Sequence, residues 1–161
     1  VRAVIEIPGG SKNKYELDKP SGLLKLDRVL FSAVHYPADY GFIPGTLAED
    51  GDPLDVLVLL TEPSFPGCQM EVRPLGMLQL RDKGQRDEKI LAVLLEDPLE
   101  EEYRKLADVP GYLRREIEQF FRTYKDLEGK TVTVQGWRAR KEAHQAIRRC
   151  IQHYRKAYPA P

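Results

Sequence analysis

Between Glu49 and Asp55 the chain reads Glu-Asp-Gly-Asp-Pro-Leu-Asp and continues at once into Val56-Leu57-Val58-Leu59-Leu60. Gly51 and Pro53 are turn formers, and the aliphatic run reads as a buried strand. The junction therefore sets carboxylates beside a low-dielectric core. Asp50 and Asp52 are two residues apart and share a face of an extended segment, and Asp55 follows on the strand itself. Negative charge crowded there is costly unless a cation neutralises it. Hard divalent cations with oxygen ligands suit that role. Turn chemistry by itself also explains residues 50–53 as a solvated turn, so the rest of the chain must decide. An EF-hand loop is excluded, because its glycine and glutamate places, counted from Asp50, hold Asp55 and Thr61.

The remaining segments supply candidates for both signs of charge. Residues 1–7 read as a strand carrying Glu6, broken by Pro8-Gly9-Gly10. Residues 14–17 and 23–26 read as a hairpin joined through Asp18-Lys19-Pro20-Ser21-Gly22, with Lys14 and Glu16 on one face, where a plain surface ion pair is the commoner arrangement. Arg28 follows. Residues 35–45 are too rich in Pro and Gly for a regular element and read as an ordered loop in which Tyr36 and Tyr40 are core filler or anion ligands. Residues 70–80 read as a strand with a bulge or bend at Pro74 and Gly76. A charged turn carrying Asp82, Asp87 and Lys89 leads into a strand over residues 90–95. From Pro110, the spacing of Leu113, Ile117, Phe120, Phe121 and Tyr124 predicts a helix with one apolar face, which delivers Tyr124 and Lys125 at its end. A strand over 131–134, ending near Gly136-Trp137, precedes a last helix over about 141–158. Its apolar face carries Ala143, Ile147, Cys150, Ile151 and Tyr154, with His144 and His153 at the surface.

Twenty-five basic and 25 acidic residues cancel, so net charge points to neither nucleic acid nor membrane, and any function rests on local charge. At 161 residues the whole of 1–161 is expected to form one domain. Cys68 and Cys150 resemble neither a disulfide framework nor a zinc site and are expected to be free, buried thiols in a reducing cytoplasm. No apolar run approaches membrane-spanning length and no signal peptide is visible. The chain begins without Met in what reads as mid-strand, so a few residues are expected to precede Val1.

Brought together, Glu6, Asp50, Asp52, Asp55, Asp82 and Asp87 would form an acidic side, with Lys14, Arg28, Lys89 and Lys125 opposite and Tyr36, Tyr40 and Tyr124 as hydroxyl donors. Metals to neutralise charge facing cations that grip phosphate are what phosphoryl transfer to water requires. The residues alone lead to a metal-dependent phosphohydrolase and no further, since spacing does not establish convergence.

The sequence resembles family I soluble inorganic pyrophosphatases of the bacterial type over essentially its whole length. The resemblance is carried by Asp50-Gly51-Asp52-Pro53-Leu54-Asp55-Val56 and by Val4-Ile5-Glu6-Ile7-Pro8, Lys14-Tyr15-Glu16, Leu26-Asp27-Arg28, Tyr36-Pro37 with Tyr40-Gly41, Asp82 with Asp87 and Lys89, and Tyr124-Lys125-Asp126-Leu127. It implies an α+β, mainly β fold: a five-stranded OB-like barrel with helices packed outside and the site in its mouth. It further implies Mg-dependent hydrolysis of pyrophosphate by direct attack of a metal-activated water, with several Mg²⁺ per site, Mn²⁺ or other divalent ions as substitutes, and no covalent intermediate. Asp50, Asp55 and Asp87 would hold the first metal, Asp55 shared with a second; Asp82 and Asp87 would serve the metal that arrives with substrate, and Glu6 a further one. Asp52 would be the general base and Tyr40 would stand between metal-bound water and phosphate. Lys14, Arg28, Lys89, Tyr124 and Lys125 would hold phosphate oxygens, with Glu16 in support.

A homohexamer in the cytoplasm is implied as well, although this chain has no histidine in residues 119–123, where some members place histidines. The family's usual extension before the first strand is missing here. A non-catalytic OB-type module tracking a nucleic-acid strand is the reading from another class, and the acidic cluster in the mouth argues against it. Side activity on other phosphoanhydrides stays open.

Overall fold

The computed structural model describes residues 1–159; the last two residues of the expected 1–161 domain lie outside them. Eight strands run in chain order: β1 (Arg2–Ile7), β2 (Asn13–Asp18), β3 (Leu23–Val29), β4 (Asp39–Ile43), β5 (Leu54–Leu59), β6 (Gln69–Asp82), β7 (Gln85–Leu94) and β8 (Val132–Ala139). The helices are a single turn α1 (Leu99–Glu102), then α2 (Gly111–Thr123) and α3 (Arg140–Ala157), with short 3₁₀ turns at Leu106–Asp108 and Asp126–Glu128. None is long and apolar enough, among the described residues, to cross a membrane.

The main sheet has the order β1-β4-β5-β7-β6-β8, and a further pairing of β1 with β6 closes five of its strands into a ring. This is the expected five-stranded barrel, with β8 added outside the ring. Closure depends on β6 giving its second edge to two partners: Gln69–Glu71 pair with β1, and Gly76–Asp82 with β8. The expected bend separates them. Pro74 has no N–H for a ladder, and the register against β7 shifts between Pro74 and Gly76. Strands β5 and β7 are parallel and carry residues buried on both faces, as their unbroken apolar runs require. One face (Leu57, Leu59, Leu91, Val93) joins a cluster with Ile117, Phe120 and Phe121 of α2. The other (Val56, Val58, Ile90, Ala92) joins Ala143, Ala146, Ile147 and Cys150 of α3.

Several expectations are corrected. Residues 35–45 are not all loop, for β4 lies within them. Pro37 and Pro44 flank that strand rather than interrupt it. Gly41 is required inside it because a Cβ there would lie 1.9 Å from the Val4 carbonyl oxygen of β1. The strand expected to end near Gly136 runs on to Ala139; Gly136, at φ +102°, takes up a bulge against Gln79 and Leu80. Cys150 is buried, but Cys68 is only partly so. Tyr154 is exposed and packs on Tyr158 rather than on the core.

Candidate active site

The acidic turn enters β5 directly, so Asp55 stands at the first rung of the β5–β7 ladder, opposite Lys89. A two-residue turn at Lys83-Gly84, both at positive φ, joins β6 to β7. Such a tight hairpin suits the strand twist and sets Asp82 and Asp87 near each other at its base. The short β2–β3 hairpin forms its own sheet and stands over the same end of the barrel. Tyr124 caps the C-terminus of α2, with Lys125 next in line.

These elements enclose a cavity of about 540 Å³ lined by Glu6, Lys14, Glu16, Tyr40, Asp50, Asp52, Asp55, Asp82, Asp87, Lys89, Tyr124 and Lys125. Two expected residues stand outside the lining. Tyr36 is core filler, 2% exposed and packed on the rings of Tyr40 and Phe120. The other is Arg28. Its guanidinium lies 2.7 Å from Asp27 and 3.0 Å from Glu128.

Lys89 is the centre of the arrangement. Only 4% exposed, its ammonium donates to Asp55 Oδ2 at 2.5 Å and to the Tyr40 hydroxyl at 3.1 Å, and lies 2.8 Å from Asp87 Oδ1. It also stands 5.5 Å above the Tyr40 ring and 5.6 Å above that of Phe121. Burial works against its charge, but Asp55, Tyr40 and Asp87 outweigh that and raise its pKa well above the lysine range. The carboxylates feel the opposite pressure. Burial pushes Asp55 up, with Asp87 adding to the effect and Lys89 opposing it. Burial also raises Asp50, and it carries Glu6 to about 7 although Glu6 accepts a hydrogen bond from the Leu17 N–H. Burial holds Tyr40 protonated.

Lys125 donates to Asp82 Oδ2 at 2.5 Å, while Asp82 Oδ1 is buried without a hydrogen-bond partner. From the hairpin, Lys14 reaches Glu16 at 3.0 Å, and Glu16 is held ionised first by Lys14 and then by Lys25. Asp52 accepts from Lys19 at 2.7 Å, and its backbone N–H donates to Asp50 Oδ1 at 3.0 Å.

Lys19, in the cavity wall, and Asp39, behind it, are residues that sequence reasoning passed over. Lys19 sits in the loop read as a bare hairpin turn, and only its place beside Asp52, 33 residues on, brings it to the site. Asp39 is buried and accepts from the Gly9 N–H at 2.8 Å, the Ser64 N–H at 2.9 Å and the Ser64 hydroxyl. It pins the loop after β1 and the loop between β5 and β6 to the start of β4. No local pattern marks either residue.

Eight acidic residues (Glu6, Glu16, Asp18, Asp50, Asp52, Asp55, Asp82, Asp87) and five lysines (Lys14, Lys19, Lys25, Lys89, Lys125) line the cavity. Among the described residues no three His, Cys, Asp or Glu side chains form a ready metal cluster, because Lys89 lies between Asp55 and Asp87 and Lys125 holds Asp82. The donor set nevertheless fits hard cations. It is all oxygen, acid exceeds base, and the orphaned Asp82 Oδ1 is an acceptor in need of a positive partner. The same cavity offers ammonium groups and a neutral phenol to anionic oxygens.

A family model described as inorganic pyrophosphatase matches residues 3–155. The chain is 48% identical to the inorganic pyrophosphatase of Synechocystis sp. over 96% of its own length and 92% of the relative's. It is 49% identical to that of Geobacillus stearothermophilus, over 96% and 93%. Among solved structures, the inorganic pyrophosphatase of Thermus thermophilus superposes with a TM-score of 0.93 at 51% identity, covering 96% of this chain and 91% of the other. That of Helicobacter pylori gives 0.93 at 40%, covering 96% and 93%.

Proposed function

The chain belongs to the inorganic pyrophosphatase family and hydrolyses pyrophosphate to two phosphates, and we propose that the cavity at the barrel mouth is where it does so. The observation that carries this reading is one enclosure whose wall interleaves the carboxylates of Asp50, Asp52, Asp55, Asp82 and Asp87 with the ammonium groups of Lys14, Lys89 and Lys125. Pyrophosphate is small, polyanionic and featureless apart from its oxygens, so a site that recognises it needs charge of both kinds.

In this reading Asp50, Asp55, Asp82, Asp87 and Glu6 would hold several Mg²⁺ ions, with Mn²⁺ or other divalent cations as substitutes. Bound there, such ions neutralise phosphate charge and acidify water. The remaining roles fall to the chain. Asp52 would take the proton of the attacking water in exchange for its ion pair with Lys19. Lys14, Lys89, Lys125 and Tyr124 hold phosphate oxygens, and Glu16 keeps Lys14 aimed into the cavity. Tyr40 stays a neutral donor because burial keeps its proton in place. Arg28, now paired with both Asp27 and Glu128, would be a further phosphate ligand. No nucleophilic side chain is required, so water attacks phosphorus directly. The same reading proposes one domain acting as a homohexamer in the cytoplasm.

The test is phosphate release from pyrophosphate with Mg²⁺, with EDTA, and with Asp55→Asn. Release that stops with chelator and drops by orders of magnitude in the variant supports the assignment. Full activity in a folded Asp55→Asn enzyme refutes it.

A further inference from the structure

On β7 the side chains alternate. Asp87 and Lys89 enter the main cavity, while Arg86 and Glu88 point the opposite way, toward α3. Glu88 is buried at 8% exposure. Arg149 of α3 donates to its Oε2, and the Arg86 guanidinium lies 4.0 Å from its Oε1. Arg86 in turn stands 3.6 Å from Glu49, the residue before Asp50. One residue beyond Arg149, the Cys150 carbonyl accepts the Leu47 N–H at 3.0 Å. The back of the acidic turn and the back of β7 are thus tied to the same turn of α3. Between them lies a space of about 10 Å³, room for one water molecule, with Asp50, Asp55 and Asp87 on its wall.

The ladder explains why these ties matter. Pairing of β7 with β5 begins only at Lys89, opposite Asp55. The preceding residues, Gln85 to Glu88, are laddered on the β6 side alone. Asp87 therefore sits on a segment with one free edge, beside a turn that belongs to no sheet.

We infer that Glu88, clasped by Arg149 and Arg86, is a positioning residue that fixes Asp87 relative to Asp50 and Asp55 from behind the site. The inference rests on the reading of those carboxylates as Mg²⁺ ligands. Their spacing decides how well they share a cation, and groups that orient ligands from behind commonly change affinity by an order of magnitude or more.

The test is calorimetric titration of the metal-free protein with Mg²⁺, alongside thermal melts in EDTA. Glu88→Gln and Arg149→Gln are each expected to weaken Mg²⁺ binding about tenfold, and the double variant no more than either one, because they break one interaction. Arg149→Lys, which keeps the charge, is expected to recover most of the affinity. Lower melting temperatures with unchanged Mg²⁺ affinity would overturn the inference, since a purely structural role predicts that. Should Glu88→Gln fail to fold, Arg149→Gln decides by the same criterion, as that side chain is 34% exposed. Asp55→Asn separates the two levels. If it binds Mg²⁺ as the wild type does, the assignment of the site fails. If it loses binding while Glu88→Gln does not, only the role of Glu88 fails.

Discussion

Phe121→Ala probes how the core of α2 supports the chemistry above it. Phe121 is 1% exposed. Its ring meets Phe120 edge-on at 5.1 Å and Tyr124 edge-on at 5.6 Å, and lies 6.2 Å from Tyr40. The Lys89 ammonium stands over its face. Truncating a buried Phe to Ala costs about 3–5 kcal/mol in transfer and cavity energy. Two features place this site at the upper end. The neighbouring rings are anchored on β4 and α2 and cannot collapse into the space, and a desolvated cation over the ring adds about 2 kcal/mol that is lost with it. These contributions overlap, so about 4–5 kcal/mol is the working figure. Against a domain stability of about 5–15 kcal/mol the variant stays folded when the wild type exceeds the low end of that range by about 2 kcal/mol or more, and its melting temperature falls by about 8–20 °C. Urea titration followed by fluorescence reads the loss directly, because Trp137 is the sole tryptophan and packs against the same cluster. Activity below the transition is expected to fall as well, since Lys89 loses its floor. A stability loss under about 2 kcal/mol, or full turnover in the folded variant, would refute this account of the packing.

Two further outcomes follow from other parts of the molecule. Asp39→Ala strands two backbone donors and a hydroxyl in a partly buried corner; at about 1–3 kcal/mol for each buried group left unsatisfied, the urea midpoint should drop clearly, and a midpoint equal to that of the wild type would mean water replaces the carboxylate without cost. Glu6 carries the pH prediction. Its folded pKa, about 7 against an ordinary 4.5, means the folded state keeps a proton that the unfolded state gives up. In EDTA this stabilisation is full below pH 4.5 and is lost as pH rises through 7, amounting to about 3 kcal/mol at most. Glu6→Gln should flatten that decline and melt higher than the wild type at pH 8; parallel pH profiles for the two proteins would sink the assignment.

Local chemistry made much of the fold legible. The runs at β5 and β7 are apolar on both faces, and Ile117, Phe120, Phe121 and Tyr124 repeat at helical spacing. Each names its element because the period of burial is written in consecutive residues. Gly and Pro misled at β4, where their local meaning is a loop. The strand forms because Gly41 lets the β1 backbone come close, a contact 36 residues away along the chain. The acidic turn, the hairpin lysine and the residues ending α2 were recognisable as candidates by type and order, and all expected site residues but Arg28 and Tyr36 line the same cavity. What sequence alone determined is which side chains are available and which segments must be buried. Tertiary structure alone decided their pairing. Closure of β1 on β6 brings distant segments to one rim, pairing of β7 with β5 sets Lys89 against Asp55, the β2–β3 hairpin sets Lys19 on Asp52, and the packing of α3 brings Arg149 to Glu88. The physical reason is that Coulomb energy and desolvation depend on distance and burial, and between residues 30 to 60 positions apart those quantities exist only once the barrel has closed.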